Sequence, residues 1–226
     1  MSFQFPTMGY AAKLAVVATA LVLSACSPSS GGKSGGAPAS ALETASDFPM
    51  GSKDAKVVMI EYASITCPHC ANFHTNVLPT IKEKYVTPGK VRYVFREFPT
   101  PPVELAMAGH LMARCAGGEK RDQIIEALMR GQQELVTQAQ GPAGAKQALL
   151  NVAVSAGMNE SQFDACMANQ DLLKVLVEIQ ESGVKAGVQG TPTIFINGEK
   201  FEAPGGREMT AEDVTKALDA ALAKAK

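Results

Sequence analysis

The chain has no excess of charge: 21 lysines and arginines stand against 22 aspartates and glutamates in 226 residues. It also has no basic run or stripe, so nothing in it points to a nucleic-acid partner. No acidic residue occurs before Glu43. No apolar run is long enough to cross a bilayer. The longest, Leu14 to Leu23, is about half of the ~20 residues a helical span requires, so a permanent transmembrane helix is not expected. There is no internal repeat. The single C-x-x-C pair, Cys67 and Cys70, has no second pair at matching distance, which argues against a structural zinc site, although His69 and His74 could complete one on paper.

What the first 25 residues do contain reads as an export signal: Lys13 gives a weakly positive start and Leu14 to Leu23 a short apolar centre. The segment ends in Leu23-Ser24-Ala25-Cys26, which resembles the lipobox of bacterial lipoproteins. That resemblance implies that the Cys26 thiol receives a diacylglycerol and becomes the first residue of a membrane-anchored chain. The alternative is an ordinary secretory signal cut near Ala18-Thr19-Ala20. Either reading places the mature chain outside the bacterial cytoplasm, where disulfides persist. Ser27 after Cys26, in place of the aspartate that retains enteric lipoproteins at the inner membrane, leans toward the outer membrane. Residues 26–45 are rich in Ser, Gly, Pro and Ala and read as a flexible tether. About 20 such residues span roughly 25 Å root-mean-square. The five cysteines are an odd number in an exported chain. Lipidation of Cys26 would leave Cys67, Cys70, Cys115 and Cys166, two potential pairs.

Residues 46–226 alternate between strand and helix signals. Val57 to Tyr62 is a β-rich apolar run, as for a buried strand. A helix follows from Cys67 to about Tyr85, with Phe73, Val77 and Ile81 on one face and a kink expected at Pro79. Val91 to Phe95 is a second strand. From Pro102 to about Gly187 the pattern is helical: Val103, Met107, Leu111 and Cys115 recur at steps of four, Ile124, Ile125 and Leu128 mark a helix over 123–130, and another runs over 143–156. Asn159 with Gln162 signals a helix start, and Leu172, Leu176 and Ile179 mark a further helix. Strands then return at Thr193 to Ile196 and near Lys200 to Glu202, joined by Asn197-Gly198, a strong hairpin signal. Thr210 to Asp213 opens a last helix with Val214, Leu218 and Leu222 inward. The outline is an α/β thioredoxin fold, with an all-helical block over about 102–188 inserted between the second core strand and the closing hairpin.

Cys67-Pro68-His69-Cys70 is the chemically informative motif. Two thiols so spaced at a helix start can close a small, redox-active ring. Cys67 in the first turn faces unpaired N–H groups and the helix dipole, which favour a thiolate, and His69 can donate to that thiolate or place positive charge near it. A stabilised thiolate favours the reduced form and makes the disulfide an oxidant. Cys67 is expected to be exposed and attacking, and Cys70, one turn in, buried and resolving.

The segment Ile60 to Cys70 resembles the active-site segment of DsbA-type thiol:disulfide oxidoreductases, and Gly190-Thr191-Pro192-Thr193 resembles their cis-proline loop. The resemblance covers about residues 47–222. It implies that Thr191-Pro192 is cis and faces the disulfide, with the Thr191 backbone pairing with a substrate chain, where an ordinary trans proline at a strand start is the plain alternative. It implies that Glu61, six residues before Cys67, is a buried acid relaying a proton to Cys70, against an exposed glutamate at a strand end. It further implies a second, non-catalytic disulfide between Cys115 and Cys166, against two separate buried thiols. The activity implied is a dithiol oxidase that passes the Cys67–Cys70 disulfide to unfolded exported proteins and is reoxidised by a DsbB-like, quinone-linked membrane partner. No metal or other cofactor is expected, and the chain is expected to be a monomer, because it offers only a tether where the related isomerases carry a dimerisation domain. A disulfide isomerase or reductase, and a lipid-anchored metal-binding module using Cys67, Cys70 and His69, remain as alternatives.

Overall fold

Val57–Ala63 forms strand β1, and all seven of its residues are buried. A strand covered on both faces must lie inside a sheet with a layer on each side. In the computed structural model, which describes residues 42–142 and 144–225, β1 is indeed central. It pairs in parallel with β2 (Val91–Glu97) and antiparallel with β3 (Thr193–Ile196), and β4 (Glu199–Phe201) closes the edge in the order β2-β1-β3-β4. The proposed export signal, Cys26 and the tether up to residue 41 lie outside the described residues.

Alternation along β1 divides the core. Val57, Met59 and Ala63 point into the larger apolar cluster, beneath helix α1 (Pro68–Asn76), and Val58, Ile60 and Tyr62 into a smaller one on the opposite face. The same alternation sends Glu61 to the α1 side. The hairpin turn carries positive φ at both Asn197 (51°) and Gly198 (86°), the conformation that Asn-Gly favours. Asn197 Oδ1 also accepts from the Val58 N–H at 2.9 Å, which locks the turn to β1.

Helix α1 (Pro68–Asn76) starts at Cys67 and ends sooner than the sequence suggests. The expected single helix with a kink at Pro79 is interrupted at Val77. Pro79 occupies the first turn of a new helix, α2 (Leu78–Ile81), where its missing N–H costs nothing. A π-helical turn, Lys82–Val86, completes the segment.

The inserted block comprises α3 (Val103–Ala116), α4 (Gly118–Arg130), α5 (Gln132–Gln140), α6 (Gly144–Ser155), α7 (Glu160–Met167) and α8 (Gln170–Lys185). α5 carries only Leu135 as a buried apolar side chain and has no distinct signal in the sequence. In α3 the inward face is broader than the 103-107-111-115 row: Val103 is exposed, while Leu111 is buried together with Leu105, Gly109 and Met112. Gly109 lets α3 approach the loop just before Cys67, since a Cβ there would stand 2.9 Å from Ile65 Cδ1 and push that side chain aside. α7 opens with the full Asn159/Gln162 capping box, and α9 (Ala211–Lys224) opens with an equivalent Thr210/Asp213 box. A disulfide joins Cys115 of α3 to Cys166 of α7, with Cα atoms 5.7 Å apart.

Charged residues tie the insertion to the sheet. Glu97, fully buried at the end of β2, accepts from Arg121 at 2.7 Å and from Arg114 at 2.8 Å. The chain before β1 is pinned to the same strand. Arg96 makes a two-pronged contact with Asp47 and donates to the Leu42 carbonyl, and Glu43 pairs with Arg92. Leu42 to Ala45, the last part of the stretch read as tether, therefore includes two residues held against β2.

Candidate active site

Three elements meet at Cys67: the start of α1, the loop after β1 and the turn before β3. Cys67 caps α1 with extended backbone, and Pro68 follows at the first helical position, where its fixed φ suits a helix start. The loop before Cys67 is held from several directions. Thr66 Oγ1 donates to the Thr100 carbonyl at 2.8 Å, and the Ile65 N–H donates to His110 Nε2 at 3.4 Å. Gln132, at the start of α5, donates through Nε2 to both the Ile65 and Cys67 carbonyls at 2.9 Å. Gln132 and His110 are buried polar residues of the insertion that no spacing rule marks in the sequence.

The thiols of Cys67 and Cys70 are unbonded. The bond Thr191-Pro192 is cis, and the Cys67 thiol donates to the Thr191 carbonyl at 3.2 Å. The Thr191-Pro192 turn therefore lies directly against the first sulfur. It also shields it: Cys67 is only 9% exposed, in contrast to the exposed nucleophile expected from sequence, and it is Pro68 and His69 that project into solvent. Cys70 is fully buried.

The two sulfurs are electrostatically unlike. The Cys67 pKa is lowered to about 5, first by the hydrogen bond from the Cys70 side chain, then by the Thr191 side chain and by the backbone N–H groups of Cys70 and His69, against the opposing effect of burial. The Cys70 pKa is pushed well above its usual value, first by burial and then by its bond to Cys67 and the negative charges of Cys67 and Glu61. One thiol is thus an anion at neutral pH and its partner a proton donor to it.

The His69 side chain does not donate to the Cys67 sulfur. Its Nδ1 donates instead to Glu208, at 3.1 Å, in the loop before α9. That bond is the main cause of a raised His69 pKa, with a further contribution from the charge of Cys67. His69 therefore meets Cys67 through its backbone N–H, while its ring is held on Glu208. Glu208 lies 139 residues away in the chain and carries no sequence signal. Together with Asn72, Phe73, Pro192 and Met209 these residues line a groove of about 240 Å³ beside the sulfurs.

Beneath Cys70 lies Glu61, completely buried and midway along β1, not at an exposed strand end. His74 Nε2 donates to its Oε1 at 3.2 Å, and the Tyr93 hydroxyl donates to its Oε2. In the sequence His74 stands only as a metal ligand on paper, and Tyr93 carries no signal. Among the described residues there is no group of three or more His, Cys, Asp or Glu side chains placed to hold a metal ion. Also among them, no helix is long and apolar enough to cross a membrane.

The family pattern described as Thioredoxin matches residues 43–220. The chain belongs to the thioredoxin family. Within it, the structure is similar to α-DsbA1 of Wolbachia pipientis, with a TM-score of 0.71 and 25% identity over 84% of this chain and 98% of that one. BdbD of Bacillus subtilis shares the fold at a TM-score of 0.64 and 17% identity, over 79% of this chain and 94% of that one. A protein of Rickettsia bellii provisionally named a protein-disulfide oxidoreductase is 28% identical over 181 residues, 80% of this chain and 66% of that protein. The chain thus spans somewhat under two thirds of the length of the curated relatives it matches. The thioredoxin core interrupted by a helical block, expected from the sequence, is the DsbA-type form of the fold.

Proposed function

We propose that this protein is a thiol:disulfide oxidoreductase that works mainly as a dithiol oxidase on exported proteins. The observation that carries the reading is the asymmetry of the pair: a Cys67 thiol lowered to about pKa 5, beside a buried Cys70 whose pKa is raised. A client thiolate attacks Cys67 Sγ of the oxidised pair, the Cys67–Cys70 bond breaks, and Cys70 leaves with the electron pair and takes up a proton. A second client thiolate then attacks the client sulfur of the mixed disulfide. Cys67 departs as a thiolate already stable at neutral pH, which drives this step forward. The Thr191 carbonyl, freed from the Cys67 thiol in the oxidised state, is positioned to pair with the backbone of a bound client, in the manner of strand addition. The groove lined by Phe73, Pro192 and Met209 supplies apolar contact.

Reoxidation falls to a quinone-linked membrane partner of the DsbB type. Lipidation at Cys26 would hold the enzyme at a membrane, leaning to the outer one, and removal of the lipid by Cys26→Ser should release it into the soluble fraction. The direction of catalysis is tested with ribonuclease. Oxidised protein added to reduced, unfolded ribonuclease should restore ribonuclease activity in stoichiometric bursts. Efficient rescue of scrambled ribonuclease, with no oxidation of the reduced form, would instead make the protein an isomerase.

A further inference from the structure

Breaking the Cys67–Cys70 bond leaves a negative charge on a fully buried sulfur, and that charge is costly until a proton arrives. The proton cannot come directly from solvent, because Cys70 and Glu61 are both 0% exposed. Two buried groups, His74 and Tyr93, both bond Glu61 and line a cleft, and the Tyr93 hydroxyl is the poorer proton donor because burial pushes its pKa well above the usual value. His74 lies one helical turn beyond Cys70 on the same face of α1, and its Nε2 donates to Glu61 Oε1 at 3.2 Å. Unlike Glu61, His74 also lines a narrow cleft of about 10 Å³, close to the space a single water needs. The cleft is also lined by Lys82, Asp122 and Glu126, all partly exposed.

We propose that His74 is the proton donor of the resolving cysteine, working through Glu61 and recharged from solvent along this cleft. The inference rests on the oxidoreductase reading above and adds the residue that sets its pH dependence. When a thiolate attacks Cys67 Sγ, the S–S bond breaks and its electron pair stays on Cys70. The proton on His74 Nε2 moves to the Glu61 carboxylate, which passes a proton on to Cys70 Sγ. Neutral His74 then takes a proton from water in the cleft, so the site ends with no net change in buried charge. In the reverse direction the same groups remove the Cys70 proton. The charged and titratable groups facing His74 are Cys70 from α1, Glu61 from β1, Tyr93 from β2, Lys82 from the π-helical turn, and Asp122 and Glu126 from α4, with Arg121 behind Asp122. The anionic side chains among them outnumber the cationic ones. Phe73 and Phe95 pack edge-on against the ring and fix its orientation.

The test is single-turnover reduction of the Cys67–Cys70 disulfide by glutathione, in the wild type and in His74→Gln, across about pH 5 to 8, where an imidazole changes charge. The rate is divided by the concentration of glutathione thiolate, which removes the reagent's own titration. In the wild type the corrected rate should fall as pH rises through one ionisation. In His74→Gln the corrected rate should be independent of pH, and about tenfold below the wild type at the acid end, a modest share of what a positioned general acid supplies. Equal profiles in the two proteins, or a wild-type corrected rate that does not change with pH, would overturn the role of His74. If His74→Gln fails to fold, His74→Asn is read in its place, and a wild-type corrected rate that does not change with pH overturns the role of His74 without either variant. A wild-type protein that forms no Cys67–Cys70 disulfide, or one that glutathione does not reduce, would instead sink the oxidoreductase reading itself.

Discussion

Replacing Cys70 by alanine should raise the pKa of Cys67 from about 5 to between about 6 and 7. Cys70 is the largest single cause of the depressed value, because its thiol donates to the Cys67 sulfur. A hydrogen bond to a charged group contributes about 1.5–3 kcal/mol, and one pKa unit is about 1.4 kcal/mol, so losing the bond moves the titration by one to two units. The rest of the depression should survive, since the Thr191 contact and the N–H groups at the start of α1 are untouched. Cys70→Ser keeps a donor at the same place and should stay close to the wild-type value. The assay is the rate of alkylation of reduced protein by iodoacetamide as a function of pH, which follows the thiolate fraction. If Cys70→Ala titrates where the wild type does, the neighbouring thiol is not what stabilises the anion, and the account of the asymmetric pair is wrong.

Three further outcomes follow from the scaffold around the pair. Burial lowers the His110 pKa to about 4, against about 6.5 in an unfolded chain, so the unfolded state binds the extra proton between these values. Stability should therefore be lost as pH falls from about 6.5 to about 4, by roughly 3 kcal/mol in urea unfolding, and His110→Gln should flatten that slope. Removing the Cys115–Cys166 disulfide, which spans 51 residues, should cost about 4 kcal/mol by loop entropy, read as a lower thermal midpoint, while the alkylation profile of Cys67 stays in place. Gln132→Ala leaves the buried Ile65 carbonyl without its side-chain donor and should cost about 1–3 kcal/mol in denaturant unfolding, with slower thiol exchange as the loop before Cys67 loosens.

The features that can be read from sequence are those whose cause is local. Asn197-Gly198 folds as a hairpin turn because those two residues accept positive φ, and Asn159 and Thr210 start helices because their side chains accept backbone N–H groups. Val57 to Ala63 is apolar throughout except Glu61, and that exception is itself the pointer to the site. What cannot be read depends on contacts between distant segments. The buried trio of Glu97, Arg114 and Arg121 looks like solvated surface until β2 and the insertion are brought together. Glu208 reaches His69 across 139 residues, and Gln132 reaches the Cys67 carbonyl across 65. The shielding of Cys67 escapes the sequence for the same reason, since the Thr191-Pro192 turn that covers it comes 124 residues later. The break at Val77 in place of a kink at Pro79 reflects the tolerance of a first helical turn for proline.

The reduction potential of the Cys67–Cys70 pair tests the central claim most directly. A thiol held near pKa 5, where an unperturbed one sits at 9.0, favours the reduced form at pH 7 by about 2.7 kcal/mol, equivalent to roughly 60 mV for a two-electron couple. Cys67 keeps some contact with solvent, and screening brings the expected value to roughly 30–60 mV. Equilibration with glutathione buffers at pH 7 should therefore find the pair more oxidising than a dithiol of ordinary pKa by that margin, and the margin should shrink as pH falls toward 5. A potential as reducing as that of thioredoxin, or a margin over an ordinary dithiol that does not change across this pH range, would contradict the account.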